Sequence, residues 1–108
     1  MTVRSLLNGH WIESSKDNVS NVFINLNALA IYEVYENNEL SYSFSLDFNE
    51  KLSKANLRMI NKSGNAFQGQ YLFEWSDEKH TEFKVLALNS NLKYDVIGLF
   101  VKDINKPE

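Results

Sequence analysis

Glu82 and Lys84 stand two residues apart in the run TEFKV, an acid and a base on one side of an extended chain, with His80 two residues earlier. Such a row can pair within itself or orient a polar group of a bound molecule. Glu33 adds another acid, and Tyr42, Tyr71, Phe73 and Trp75 supply aromatic surface. Together these residues form a candidate ligand-binding set, because small-molecule pockets combine apolar walls with a few convergent polar groups. Catalysis asks for more. His80 or Glu33 acting as acid or base would need a positioned partner, and no such constellation is visible. Ser41, Ser43 and Ser45 lack an assigned base, so an alternating serine row reads as the solvated side of a strand. His10 and His80 are far apart and belong to no spaced ligand cluster, and cysteine is absent, so metal sites and thiol chemistry find no support. No glycine-rich phosphate loop or nucleophile elbow occurs. The chain reads as a non-catalytic binding protein without a cofactor.

The elements that must position these residues are strands. The stretch LSYSFSLDF, residues 40–48, alternates Leu40, Tyr42, Phe44, Leu46 and Phe48 with serine and aspartate. That is the period of a half-buried strand. Turn-forming clusters fall at 14–18, 25–27, 36–39, 48–53, 62–65, 76–79 and 89–91, and aromatic or β-branched runs lie between them. An antiparallel meander of about seven to eight strands follows, closed as a small barrel or stacked as a barrel-like sandwich. At 108 residues with 44% hydrophobic side chains, the chain suits one domain, 1–108, with 103–108 as a C-terminal tail. Residues 50–62 also fit a helix, with Leu52, Ala55, Met59 and Ile60 on one side, although a strand over 54–61 is preferred.

Loop lengths set the expected registers. A two-residue Asn37-Asn38 turn pairs Tyr35 with Leu40, Glu33 with Tyr42, Ile31 with Phe44 and Leu29 with Leu46. A short loop around Asp77 and Glu78 pairs Trp75 with His80, Phe73 with Glu82 and Tyr71 with Lys84. A loop centred on Gly64 pairs Leu57 with Tyr71 and Ala55 with Phe73. These registers put Glu33, Glu82 and Lys84 on aromatic faces, where a charge must be paired if it is buried. The competing account leaves their heads in water, with the stems covering rings.

The opening LLNGHW resembles the start of the small lipocalin-like (calycin-like) β-barrels, in which a Gly-x-Trp element begins the first strand and the tryptophan plugs one barrel end. Gly9 and Trp11 occupy that pattern. The resemblance implies a barrel that holds a small, partly apolar ligand. The chain departs from the family in its shortness, in having no disulfide and in offering no obvious arginine to pack on Trp11. An eight-stranded barrel is just wide enough to be filled by side chains or to hold one small ligand.

Charge narrows the partners. A net charge of −3 offers no long-range attraction to phosphate backbones or anionic lipids. Nucleic acid and membrane are therefore not expected. No long apolar segment marks a leader or a spanning helix, so a cytoplasmic location is expected. Two expectations remain: a barrel with a small-molecule ligand, or a protein-interaction module such as an inhibitor, immunity protein or assembly subunit that docks through an apolar sheet face. The second leaves self-association into a homo-oligomer open.

Overall fold

The computed structural model describes residues 6–15, 18–48 and 54–105. Its strands are β1 (Gly9–Ser15), β2 (Asn18–Leu26), β3 (Tyr32–Glu36), β4 (Glu39–Phe48), β5 (Lys54–Ile60), β6 (Tyr71–Trp75), β7 (Glu82–Leu88) and β8 (Tyr94–Lys102). Each pairs antiparallel with the next, and β8 returns to β1, so the sheet is a closed up-and-down barrel. The all-β meander expected from the turn spacing is present, as a barrel and not a sandwich. Residues 54–60 form a strand, while 50–53, the 48–53 turn beyond Phe48, the 16–17 turn and 106–108 of the expected tail lie outside the described residues. Among the described residues no helix is long and apolar enough to cross a membrane.

Four of the strand connections share one device. Asn27, Asn61, Asp77 and Asn89 each turn a side-chain oxygen back onto the backbone N–H four residues ahead, at Ile31, Asn65, Thr81 and Lys93. The residue three ahead adopts positive φ: Ala30 at 62°, Gly64 at 89°, His80 at 58° and Leu92 at 61°. Only one of these is glycine. The local side-chain bonds thus hold three ordinary residues in the left-handed region, at an intrinsic cost of about 1–2 kcal/mol each. Asn37 and Asn38, with φ of 54° and 65°, make the expected two-residue hairpin turn between β3 and β4.

Register corrections decide which side chains face inward. Tyr35 pairs with Leu40 as expected, but a bulge at Ser41 then pairs Val34 with Tyr42, Glu33 with Ser43 and Tyr32 with Phe44. One extra residue on one strand reverses the faces beyond it. Tyr32 and Val34 therefore enter the core, and the expected pairs of Glu33, Ile31 and Leu29 do not form. The 76–81 connection is longer than a short hairpin loop and pairs Trp75 with Phe83, Phe73 with Val85 and Tyr71 with Ala87. This replaces the pairings expected with His80, Glu82 and Lys84. The β5–β6 register does match: Leu57 lies opposite Tyr71 and Ala55 opposite Phe73.

Aromatic rings fill the interior. Trp11, Tyr32, Phe44, Phe73, Phe83 and Phe100 are fully buried beside Leu7, Ile24 and Val34. Phe83 is the hub, edge-on to Trp11 at 4.8 Å and stacked on Phe100 at 4.4 Å with 7° between the planes. Seven of the strand pairings join chain neighbours. The eighth, β1 with β8, joins the first strand to the last through Trp11–Lys102, Ile12–Val101, Glu13–Phe100 and Ser14–Leu99. Residues 94–98 of β8 extend past this seam and pair with β7 alone among the described residues.

Candidate functional site

The two ends of the barrel are built differently. At one end the chain enters through Leu6 and Leu7, and the Trp11 indole donates Nε1–H to the Leu7 carbonyl at 2.8 Å. Gly9, at φ 123°, takes a backbone turn that side-chain-bearing residues avoid. Asn8 accepts the Leu26 N–H through its side chain, tying the entry to β2. Lys102 sets its ammonium over the Trp11 ring, 5.6 Å from the centroid, in the place where the sequence offered no arginine. Asp103, in the expected tail, is buried and donates its backbone N–H to the His10 carbonyl. This end is closed.

The opposite end holds a cavity of about 90 Å3, walled by Phe44, Met59, Val85, Ile97 and Phe100. Two polar side chains face it, Glu13 of β1 and Tyr42 of β4, and the Tyr42 hydroxyl donates to Glu13 Oε1 at 3.2 Å. Burial pushes the Glu13 carboxyl above its usual pKa; the Tyr42 bond opposes this and the charge of Glu36 adds to it. Burial likewise raises the Tyr42 phenol, helped by Glu13 and Glu36. Gly98 of β8 lines the space, and a methyl group there would meet the Phe100 ring in van der Waals contact at 3.4 Å, so a bulkier side chain would extend into it. Beside it, a bulge in β8 at Ile97 turns that side chain to the rim, where it is 41% exposed.

The other sequence-derived residues are dispersed. Tyr71 is half-buried near the same end and donates its hydroxyl to the Gln68 carbonyl, on a separate groove that Phe67 and Tyr94 also line. Phe73 and Trp75 are packed in the aromatic core. Trp75 lies 4.6 Å from the His80 ring, and its buried Nε1–H has no acceptor among the described residues. Glu33, Glu82 and Lys84 alternate with buried neighbours and so lie on the outer wall, a correction that follows from the shifted registers. Lys84 there faces Glu74 at 3.9 Å, both partly exposed. A shallow outer groove of about 630 Å3 runs past His10, Phe23, Tyr35, Asn37 and Asn38. Only Tyr42 of the expected set reaches the interior cavity.

Glu13 was missed, although its position follows from a simple signal. Gly9, Trp11 and Glu13 alternate along one strand, so an inward Trp11 carries Glu13 inward as well. The molecule these features define is a small closed antiparallel β-barrel, plugged by a tryptophan at one end and carrying an acid–phenol pair at the other. Comparison of the chain with protein-family models, curated proteins and solved structures finds no match.

Proposed function

We propose that this chain is a lipocalin-like, non-catalytic binding protein that takes a small, partly apolar ligand at the Glu13–Tyr42 end of the barrel. One observation carries the reading. A carboxyl group is held partly out of water against a phenol, at an opening whose other walls are apolar. Keeping a carboxyl there costs stability, and a ligand that bonds to it recovers that cost. The buried Gly9-x-Trp11 element and Lys102 over the indole support the lipocalin-like description. The small volume restricts the enclosed part of the ligand to a few heavy atoms, so a larger molecule would leave its remainder on the rim.

The test is a ligand screen by native mass spectrometry and thermal shift on wild type, Glu13→Gln, Gly98→Val and Glu82→Ala. Binding lost in the first two variants and kept in Glu82→Ala, on the outer wall, supports the open-end site. Binding that is indifferent to Glu13 and Gly98 rejects it.

A second reading is supported by the half of β8 beyond the seam. Tyr94, Val96 and Ile97 are exposed there, Val96 at 52%, along a strand paired on one side among the described residues. A protein partner, including a second copy, could add a strand at such an edge. Monomer behaviour at all concentrations, unchanged by Val96→Lys, would count against self-association through it.

A further inference from the structure

The open-end cavity also constrains the charge of what enters it, an argument that rests on the reading above. Its volume of about 90 Å3 suits about three water molecules, or a group of similar bulk. Phe44, Met59, Val85 and Phe100 offer no hydrogen bonds from their side chains. The remaining side-chain chemistry among the described residues is one carboxyl and one phenol. Tyr42 spends its hydroxyl proton on Glu13 Oε1, and no other hydrogen bond reaches that carboxyl from the described residues. Both side chains therefore present acceptor capacity and no spare proton when Glu13 is ionised.

Charged neighbours reinforce this bias. Glu36, at the end of β3, adds negative potential at both Glu13 and Tyr42. On β2 the residue opposite Glu13 is the uncharged Ser20, and on β8 it is Phe100. Lys102, further along β8, is placed over the Trp11 ring toward the closed end. Among the described residues no basic side chain lines the cavity. An anion entering here meets repulsion, and a neutral apolar group leaves the carboxyl without compensation. A cation with N–H donors satisfies the free oxygen and also meets aromatic surface, including Phe100, whose ring is backed by Phe83.

We infer that the group this cavity binds is a small primary alkylammonium, of two or three carbons or at the end of a longer diamine, held by the Glu13 carboxylate and the Tyr42 oxygen between aromatic walls. Three N–H donors on a compact head match the two acceptors with one to spare for the rim. Binding requires the ionised acid. Because burial raises the carboxyl's pKa in the free protein, affinity increases as pH rises through that value and then levels off, and binding at lower pH releases a proton.

The experiment titrates isotopically labelled protein with ethylammonium chloride, ethanol and sodium acetate, following backbone amide shifts at pH 5 and pH 8. Ethylammonium should shift the amides of Tyr42, Gly98 and Phe100 with a dissociation constant on the order of 1 mM, the range open to a three-heavy-atom ligand. Binding should weaken at least tenfold in Glu13→Gln, lose its pH dependence there, and disappear in Gly98→Val, which keeps the acid but fills the space. Tyr42→Phe gives a second test at the acceptor pair should Glu13→Gln fold poorly, with weaker binding expected. Ethanol or acetate binding as well as ethylammonium, or ethylammonium binding unchanged in Glu13→Gln or Tyr42→Phe, overturns the ammonium inference; if Gly98→Val still abolishes it, the open-end site survives. No shift at these amides with any probe, or shifts that persist in Gly98→Val, overturns both.

Discussion

The closed and open ends of this barrel each present a carboxyl group, and the protein treats the two in opposite ways. At the closed end Asp77 accepts hydrogen bonds from the Thr81 hydroxyl and from the Thr81 and Glu82 N–H groups, and these bonds, the hydroxyl first, hold its pKa below the usual value. At the open end Glu13 accepts one hydrogen bond from the described residues, that of the Tyr42 phenol, and burial raises its pKa. A carboxylate surrounded by donors is built into the structure, whereas the other keeps acceptor capacity that the described residues do not fill. The packing shows the same contrast, with rings filling the closed half and a small space left at the open one.

The comparison can be broken most forcefully in the core. Phe83→Ala, at the aromatic hub, should cost about 3–5 kcal/mol by urea unfolding, against about 1–2 for the half-buried Met59→Ala at the open end. Equal losses would mean that the open end is packed as tightly as the closed one. The two tryptophans give a finer cut. Trp11→Phe strands the Leu7 carbonyl and should cost about 2 kcal/mol or more, while Trp75→Phe removes a donor that has no acceptor and should cost about 1. The reverse order would show that the Trp75 N–H is satisfied.

Smaller effects test what the ends share. Asn27→Ala at the closed end and Asn61→Ala at the open end remove the same loop-holding oxygen, and each should lose about 1 kcal/mol. A clear inequality would show that the barrel end, not the loop, sets the value. The last contrast is one of sign. Glu13 has its folded pKa raised, so its contribution is present below the unfolded value near 4.5 and is lost as pH rises through the folded one. Glu13→Gln should therefore gain stability relative to wild type at pH 7 but not at pH 4. Asp77 has its folded pKa lowered, so its contribution is present above the unfolded value near 3.8 and fades as pH falls through the folded one. Asp77→Asn should lose at pH 7 while keeping the loop, because asparagine fills the same place in the three sister loops. Parallel pH profiles for the two variants would erase the distinction between the ends.

Much of the fold was legible because strands alternate visibly and asparagines mark the turns. LSYSFSLDF lies within β4, with Phe44 and Leu46 in the core and Tyr42 packed against it, and the Asn37-Asn38 turn forms as its residues suggest. The candidate site was much less legible. Ser41 bears no mark of a bulge, yet that single residue moves Glu33 to the outer wall. The 76–81 loop is held by Asp77 reaching to Thr81 and Glu82, a span that turn-forming residue types do not reveal, and its length turns Glu82 and Lys84 outward. Errors of this kind cost little in predicting strands and a great deal in predicting faces. Glu13 was readable, because it needed no loop at all, only the alternation from Trp11.

The β1–β8 seam has a kinetic consequence. Seven pairings join strands that follow one another and can form as local hairpins, but the seam must bring the two extremes of the sheet together through four residue pairs. Loop-closure entropy falls most heavily on that step, so seam formation should limit the folding rate, and the seam should be the first pairing to open. In native-state hydrogen exchange, amides donating across β1–β8 should exchange through a smaller opening than those between β6 and β7. Since Glu13 is paired within the seam and Gly98 lies just beyond it, the same breathing motion should widen the cavity, linking the stability of the seam to the exposure of the acid–phenol pair.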